Sequence, residues 1–237
     1  MPTRDPSFIV RLPLLPILAF AVHKVMFPPN PPPTPNERLK FEVNKKTRDI
    51  IPSAASWLPQ SIGVVSHVVS LCEVYVLLCK LLPSANYTPL SSLHIRLSAT
   101  FGLGFLLACL GFGLRMVCYQ KLGRHFTFEL AVRKKHTLIT DGPYAWMRHP
   151  AYAGALVHVA GMLLCQFGPG SWWYEGGLWQ TIGGKLLSSV MFSLVATLVA
   201  WLGTRMQKED VVLKEQFGAQ WGRWAKKTPD MIIPYVY

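Results

Sequence analysis

The sequence predicts an all-α, polytopic membrane protein of about five membrane helices, with a polar region on one side of the membrane that carries any chemistry. Three observations predict it. Of 237 residues, 51% are apolar and only 15% charged, where an ordinary soluble domain carries about 25% charged residues. Mean hydropathy is +0.27, and the apolar residues gather into runs near the roughly 20 residues needed to cross a bilayer. The 24 lysines and arginines fall mainly between those runs.

Residues 8–27 form the first apolar run, interrupted by Pro13, Pro16 and His23. A signal peptide cleaved near Ala19-Phe20-Ala21 is the rival reading, and two prolines in so short an apolar stretch speak against it. Pro28 to Asn36 reads as an extended polyproline linker, and 37–52 is charged and solvated. A second helix covers 57–82 and ends at Pro83. After a polar connector containing the Asn86-Tyr87-Thr88 sequon, a third runs from Leu93 to Tyr119. Its Gly102, Gly104, Gly111 and Gly113 are residues that let membrane helices approach closely. Residues 151–168 and 183–203 supply the fourth and fifth spans, and 204–237 is amphipathic and charged.

Segments 28–56, 120–150 and 204–237 hold most of the Lys and Arg, whereas connectors 83–95 and 169–182 hold none. Five spans place the basic segments on one side and the neutral connectors on the other, as the positive-inside rule requires. The amino terminus and Asn86 are then expected outside or in a lumen. The net charge of +12 follows from this topology and from attraction to anionic lipid, so no nucleic-acid partner is expected. Cys72, Cys79, Cys109, Cys118 and Cys165 lie in or beside apolar runs without a C-x-x-C pair, and no metal site is expected.

Two basic segments contain more than solvating charge. In Asp141-Gly142-Pro143-Tyr144-Ala145-Trp146-Met147-Arg148-His149-Pro150-Ala151-Tyr152, Pro143 suits a first helical position and Pro150 disfavours helix at His149. A short turn ending there puts Arg148 and His149 on irregular backbone at the membrane surface, where side chains and free N–H groups can reach a ligand. Composition alone favours a plainer reading, a basic flank snorkelling to headgroups. Farther on, Arg205 and Glu209 share a helical face beside Asp210, and Met206, Leu213, Phe217, Trp221 and Trp224 form an apolar stripe. The plain readings there are a surface ion pair worth under about 0.5 kcal/mol and ordinary packing, with Gly218 ending or kinking the helix.

From Lys121 onwards the chain resembles the isoprenylcysteine carboxyl methyltransferase family. The resemblance rests on Leu122-Gly123-Arg124-His125-Phe126-Thr127, Leu138 to Tyr144, Arg148-His149-Pro150-Ala151-Tyr152 with Gly154, Arg205, Glu209-Asp210, Phe217-Gly218, Trp221, Trp224 and Thr228-Pro229. Asp210 stands where the family usually has a second glutamate, and the two tryptophans where tyrosines are common. The resemblance implies methyl transfer from S-adenosylmethionine to the carboxylate of a prenylated cysteine in processed C-a-a-X proteins, on the cytosolic face of the endoplasmic reticulum. It makes 1–119 an amino-terminal membrane region and 120–237 the methyltransferase region. Gly142, Pro143, Tyr144, Arg148, His149, Pro150, Tyr152, Arg205 and Glu209 are then expected at the cofactor, with Arg148 and Glu209 catalytic. Related patterns in phospholipid N-methyltransferases and sterol reductases, and a non-catalytic scaffold or small transporter, are the alternatives.

Overall fold

The computed structural model describes residues 7–32, 54–81, 93–128 and 137–232. The charged stretch 37–52, the connector with Pro83, Asn86 and Pro89, residues 132–136, and Pro234 lie outside the described residues. Among those described there are helices and turns and no strand: the chain is an all-α polytopic membrane protein. Five helices are long and apolar enough to cross a membrane, as the hydropathy pattern requires.

Helix α1 spans Ser7–Met26 and keeps its form through Pro13 and Pro16. Membrane helices accommodate such breaks because neighbouring segments satisfy the freed backbone groups. Helix α2 spans Ala54–Leu81. Helix α3, Ala99–Leu122, starts six residues later than the apolar run at Leu93, because Ser98 caps it by accepting from Phe101 N at 3.1 Å. The residues before it bond outward instead, Arg96 N to Gly170 O at 3.2 Å and Leu97 N to Ser7 Oγ at 3.0 Å. Helix α4 covers Pro150–Phe167, with Pro150 in its first turn, as the proline spacing predicts. A short helix α5, Trp172–Glu175, follows.

Helix α6 joins the fifth span and the amphipathic segment after it in one piece. It runs unbroken from Ile182 to Phe217, well past the predicted end of the fifth span at 203. No proline or glycine falls between Thr204 and Phe217, and Met, Gln, Lys, Glu and Leu there all favour helix. At 1.5 Å per residue it is about 54 Å long, far more than a bilayer core needs, so its last third projects beyond the apolar layer. Gly218, at φ 50°, stops it, and α7 continues as Ala219–Lys227. The apolar stripe is thus divided into two pieces. Met206 and Val212 are buried on α6, and Trp224 is buried on α7 with Tyr144, Phe126, Phe128 and Cys118.

Helices α3 and α4 form the tightest pair. A Cβ on Gly111 would lie 2.4 Å from His158 N, and one on Gly161 2.4 Å from Ala108 N. Only glycine permits backbones that close. Gly104 meets α4 similarly, whereas Gly102 and Gly113 face open space, so two of the four glycines expected at an interface are in one.

At the end of the bundle near Ser7, Arg11 and Glu73 make an ion pair buried to 0% and 1% exposure, with Nε to Oε1 at 2.5 Å. The remaining guanidinium nitrogens donate to Arg96 O at 3.1 Å and Cys165 O at 2.9 Å, and the Phe101 ring lies 4.0 Å beneath. The opposite end gathers the last turns of α1, α3 and the projecting part of α6 with the first turns of α2 and α4.

Candidate functional site

The second of those ends contains a cavity of about 130 Å³, roughly ten times the space one water requires. Its walls come from every long helix: Val25 and Met26 on α1, Pro59 on α2, Arg115 on α3, Tyr152 on α4 and Arg205 on α6 all line it.

One wall is the turn before α4. Gly142 adopts φ 61°, a backbone that glycine tolerates best, and a 3-10 turn covers Gly142–Ala145 with Pro143 at its start. Tyr144 is buried there, its phenol pushed well above the usual tyrosine range, first by burial and then by the neighbouring Cys118. It therefore stays a neutral hydroxyl. Asp141, at the exposed lip, pairs with Lys121, whose hydrogen bond holds the carboxyl below its ordinary range. Arg148 and His149 follow on irregular backbone, as the two prolines predict.

The N–H groups of those two residues are not free, contrary to expectation. Arg148 N donates to Asp230 O at 3.0 Å and His149 N to Met231 O at 2.9 Å. Only their side chains are aimed at the interior. Both approach Asp210: His149 Nε2 is 3.2 Å from Oδ1, and Arg148 Nε is 3.3 Å from Oδ2. The second approach is an ion-pair distance without hydrogen-bond alignment, since Arg148 Nε is buried with no aligned acceptor among the described residues.

The facing wall is α6. Arg205 and Glu209, one helical turn apart, meet the hydroxyl of Tyr152. Arg205 Nε donates to it at 2.7 Å, and it donates to Glu209 Oε2 at 2.7 Å. Arg205 is 3% exposed and its guanidinium lies 4.9 Å from the Trp201 ring. A surface ion pair, the plain reading of these two residues, does not describe them. They are joined through an interior phenol, where such bonds are stronger than in water.

Of the nine residues expected at a cofactor, Tyr144, Arg148, His149, Tyr152, Arg205 and Glu209 line the cavity. Gly142, Pro143 and Pro150 do not line it; they shape the turn and the start of α4. Sequence reasoning did not assign Arg115 to the site. It is 5% exposed, donates to Ala151 O at 2.7 Å and Tyr119 Oη at 2.7 Å, and lies 5.5 Å from the Phe126 ring and 5.3 Å from that of Phe128. Its signal was available, because an arginine inside an apolar span marks a functional position by default. Asp210 had a weaker signal, adjacency to Glu209.

Three guanidinium groups, the Glu209 carboxylate, two histidines and several aromatic rings therefore face one space, with the Asp210 carboxylate behind Arg148 and His149. Arginines suit a carboxylate, carboxylates suit a cation, and rings suit a flat heterocycle. No cluster of metal-ligating side chains occurs among the described residues.

Residues 103–169 match the model of the isoprenylcysteine carboxyl methyltransferase family. The chain is 30% identical over 182 residues to the protein-S-isoprenylcysteine O-methyltransferase of Schizosaccharomyces pombe, covering 75% of this chain and 66% of that protein. It is 29% identical over 140 residues to the Arabidopsis thaliana protein-S-isoprenylcysteine O-methyltransferase B, covering 58% and 60%. To the Homo sapiens protein-S-isoprenylcysteine O-methyltransferase it is 26% identical over 130 residues, covering 53% and 38%. The chain thus matches less than two thirds of the length of each of these relatives. The matched interval contains Arg115, the Tyr144–Tyr152 turn and the glycine-packed α3–α4 pair, and the chain belongs to the isoprenylcysteine carboxyl methyltransferase family.

Proposed function

We propose that the protein transfers a methyl group from S-adenosylmethionine to the terminal carboxylate of a prenylated cysteine, such as that of a processed C-a-a-X protein. The observation that carries this reading is the convergence of Arg115, Arg148 and Arg205 with Glu209 and Asp210 at the basic end of a membrane bundle. Positive-inside topology turns that end to the cytosol, and the family resemblance adds the endoplasmic reticulum as the membrane concerned. The lipid tail reaches the site laterally between helices, in contact with membrane lipid, while the charged cofactor arrives from water.

The residues present fit both ligands. The buried Arg148 Nε, without an aligned acceptor among the described residues, offers a donor to a carboxylate, and Arg115 on α3 offers a second guanidinium. Glu209 and Asp210 suit the cofactor's ammonium, and the aromatic walls suit its adenine. The bound cofactor supplies an already activated methyl on sulfonium. The chain's task is then alignment. An α-carboxylate, with a pKa near 3.5, is ionised at neutral pH and needs no general base. Holding oxygen, carbon and sulfur in line is worth several kcal/mol, and the apolar walls limit the water that would solvate the nucleophile. Residues 120–237 supply most of this machinery, with Arg115, Val25, Met26 and Pro59 contributed from 1–119. Phospholipid N-methylation would bring a cationic amine to three arginines, which the electrostatics oppose.

Arg148→Ala and Glu209→Ala test the assignment. Each should lower methyl transfer about a hundredfold or more, the cost of removing a preorganised charged group, at an unchanged melting temperature. Near-normal rates in both would remove these residues from the site.

A further inference from the structure

The carboxyl-terminal end of the described chain is tied to the Tyr144–His149 turn by four hydrogen bonds. Trp224 Nε1 donates to Tyr144 O at 2.9 Å and Thr228 Oγ1 to Ala145 O at 3.2 Å. The N–H groups of Arg148 and His149 donate back to Asp230 O and Met231 O at 3.0 and 2.9 Å. Four of the six residues from Tyr144 to His149 are thus fixed by a segment about 80 positions away in sequence. Thr228 is 2% exposed and does not line the cavity, so its side chain has no route to a ligand of its own. Its backbone N–H closes α7 by donating to Trp224 O at 2.9 Å, which sets the direction in which residues 228–231 leave the helix.

Inside the turn, backbone bonds are few: Tyr144 N to Asp141 O at 3.3 Å, Trp146 N to Pro143 O at 3.2 Å and Met147 N to Pro143 O at 3.3 Å, the first two of the 3-10 type, with poorer geometry than α-helical bonds. Side-chain contacts from Asp141, Tyr144, Arg148 and His149 add to them, but none fixes the backbone carbonyls of Tyr144 and Ala145. Trp146 is 74% exposed and anchors nothing inside. Yet the turn must present Arg148 and His149 to Asp210 within about half an ångström for either side chain to be useful.

We infer that residues 224–231 act as a strap whose Thr228 hydroxyl and Trp224 indole N–H are positioning groups for Arg148 and His149. The inference rests on the proposed methyl transfer for its kinetic consequence and on geometry alone for its structural one. Removing a strap bond leaves the cavity walls present but lets the turn sample other orientations, which weakens binding of the charged ligands more than it slows the reaction of those bound in register.

The test uses the full-length protein in lipid nanodiscs, with Thr228→Val, Thr228→Ser, and Trp224→Phe, which keeps an aromatic ring without the donor. Thr228→Val should raise KM for S-adenosylmethionine about threefold to tenfold, the range expected for one hydrogen bond, with kcat within about twofold, and Thr228→Ser should restore the wild-type KM. Trp224→Phe should raise KM as well, but its ring also lines the cavity, so its role as a positioning group is read from exchange. Hydrogen exchange, which needs no catalytic activity, should show slow Arg148 and His149 amides in the wild type and faster ones in both variants. Unchanged KM together with unchanged exchange in Thr228→Val and Trp224→Phe overturns the strap. If the wild type transfers no methyl but the two amides still respond to Thr228→Val, the strap stands and the methyl-transfer reading fails.

Discussion

At one end of the bundle Arg11 and Glu73 are almost fully buried, matched one to one, and every guanidinium nitrogen has an acceptor within 3.1 Å. At the other end Arg115, Arg148 and Arg205 also lie inside, but around a cavity, and Arg148 Nε, 3.3 Å from Asp210 Oδ2, has no aligned acceptor among the described residues. The same residue type, in the same membrane protein, is closed in one place and left open in the other. A closed pair holds α1 to α2 and to the loop before α3, and offers a ligand nothing. An open set keeps part of its hydrogen-bonding capacity for something outside the chain.

The contrast predicts different costs. Replacing one partner of the closed pair, by Arg11→Met or Glu73→Gln, strands the other in an apolar interior and should destabilise the protein by about 3–5 kcal/mol. Replacing both with apolar residues should recover most of the loss. Thermal unfolding in detergent measures it, and single variants as stable as wild type would mean that the stranded charge is reached by water. At the open end the hundredfold loss expected for Arg148→Ala and Glu209→Ala is about 2.7 kcal/mol of barrier, with stability preserved. Tyr152→Phe should be milder. It removes the hydroxyl joining Arg205 to Glu209, and a lost bond to charged groups costs about 1.5–3 kcal/mol, seen as a roughly tenfold to hundredfold fall in kcat/KM. A Tyr152→Phe protein that loses stability and keeps its rate would place Tyr152 with the closed pair instead.

The fold was legible because it follows from local properties. Apolar runs give the spans, Pro143 and Pro150 give the turn and the start of α4, and Gly218 gives the end of α6. Hydropathy falls at 203 while helix propensity does not, so the apolar run and the amphipathic stretch that Gly218 closes form one helix, Ile182–Phe217. Six of the nine residues that the family resemblance implied line one cavity, and the positive-inside rule agrees with it in placing 120–150 and 204–237 on a common side. What stayed hidden depends on contacts between distant segments. Glu73 is an ionisable residue in an apolar run, but its partner Arg11 is 62 positions away. The strap joins Trp224 to Tyr144 across 80 positions, and periodicity contains nothing that pairs them. Arg115 is legible in principle, as an arginine inside an apolar run.

The central claim is that this open, arginine-lined end methylates a carboxylate on a prenylated cysteine. Membranes containing the protein, incubated with methyl-labelled S-adenosylmethionine and either N-acetyl-farnesylcysteine or phosphatidylethanolamine, test it most directly. The account predicts base-labile label, a methyl ester, on the farnesylcysteine alone, and its disappearance in Arg148→Ala. Label on phosphatidylethanolamine, or on neither substrate, would contradict it.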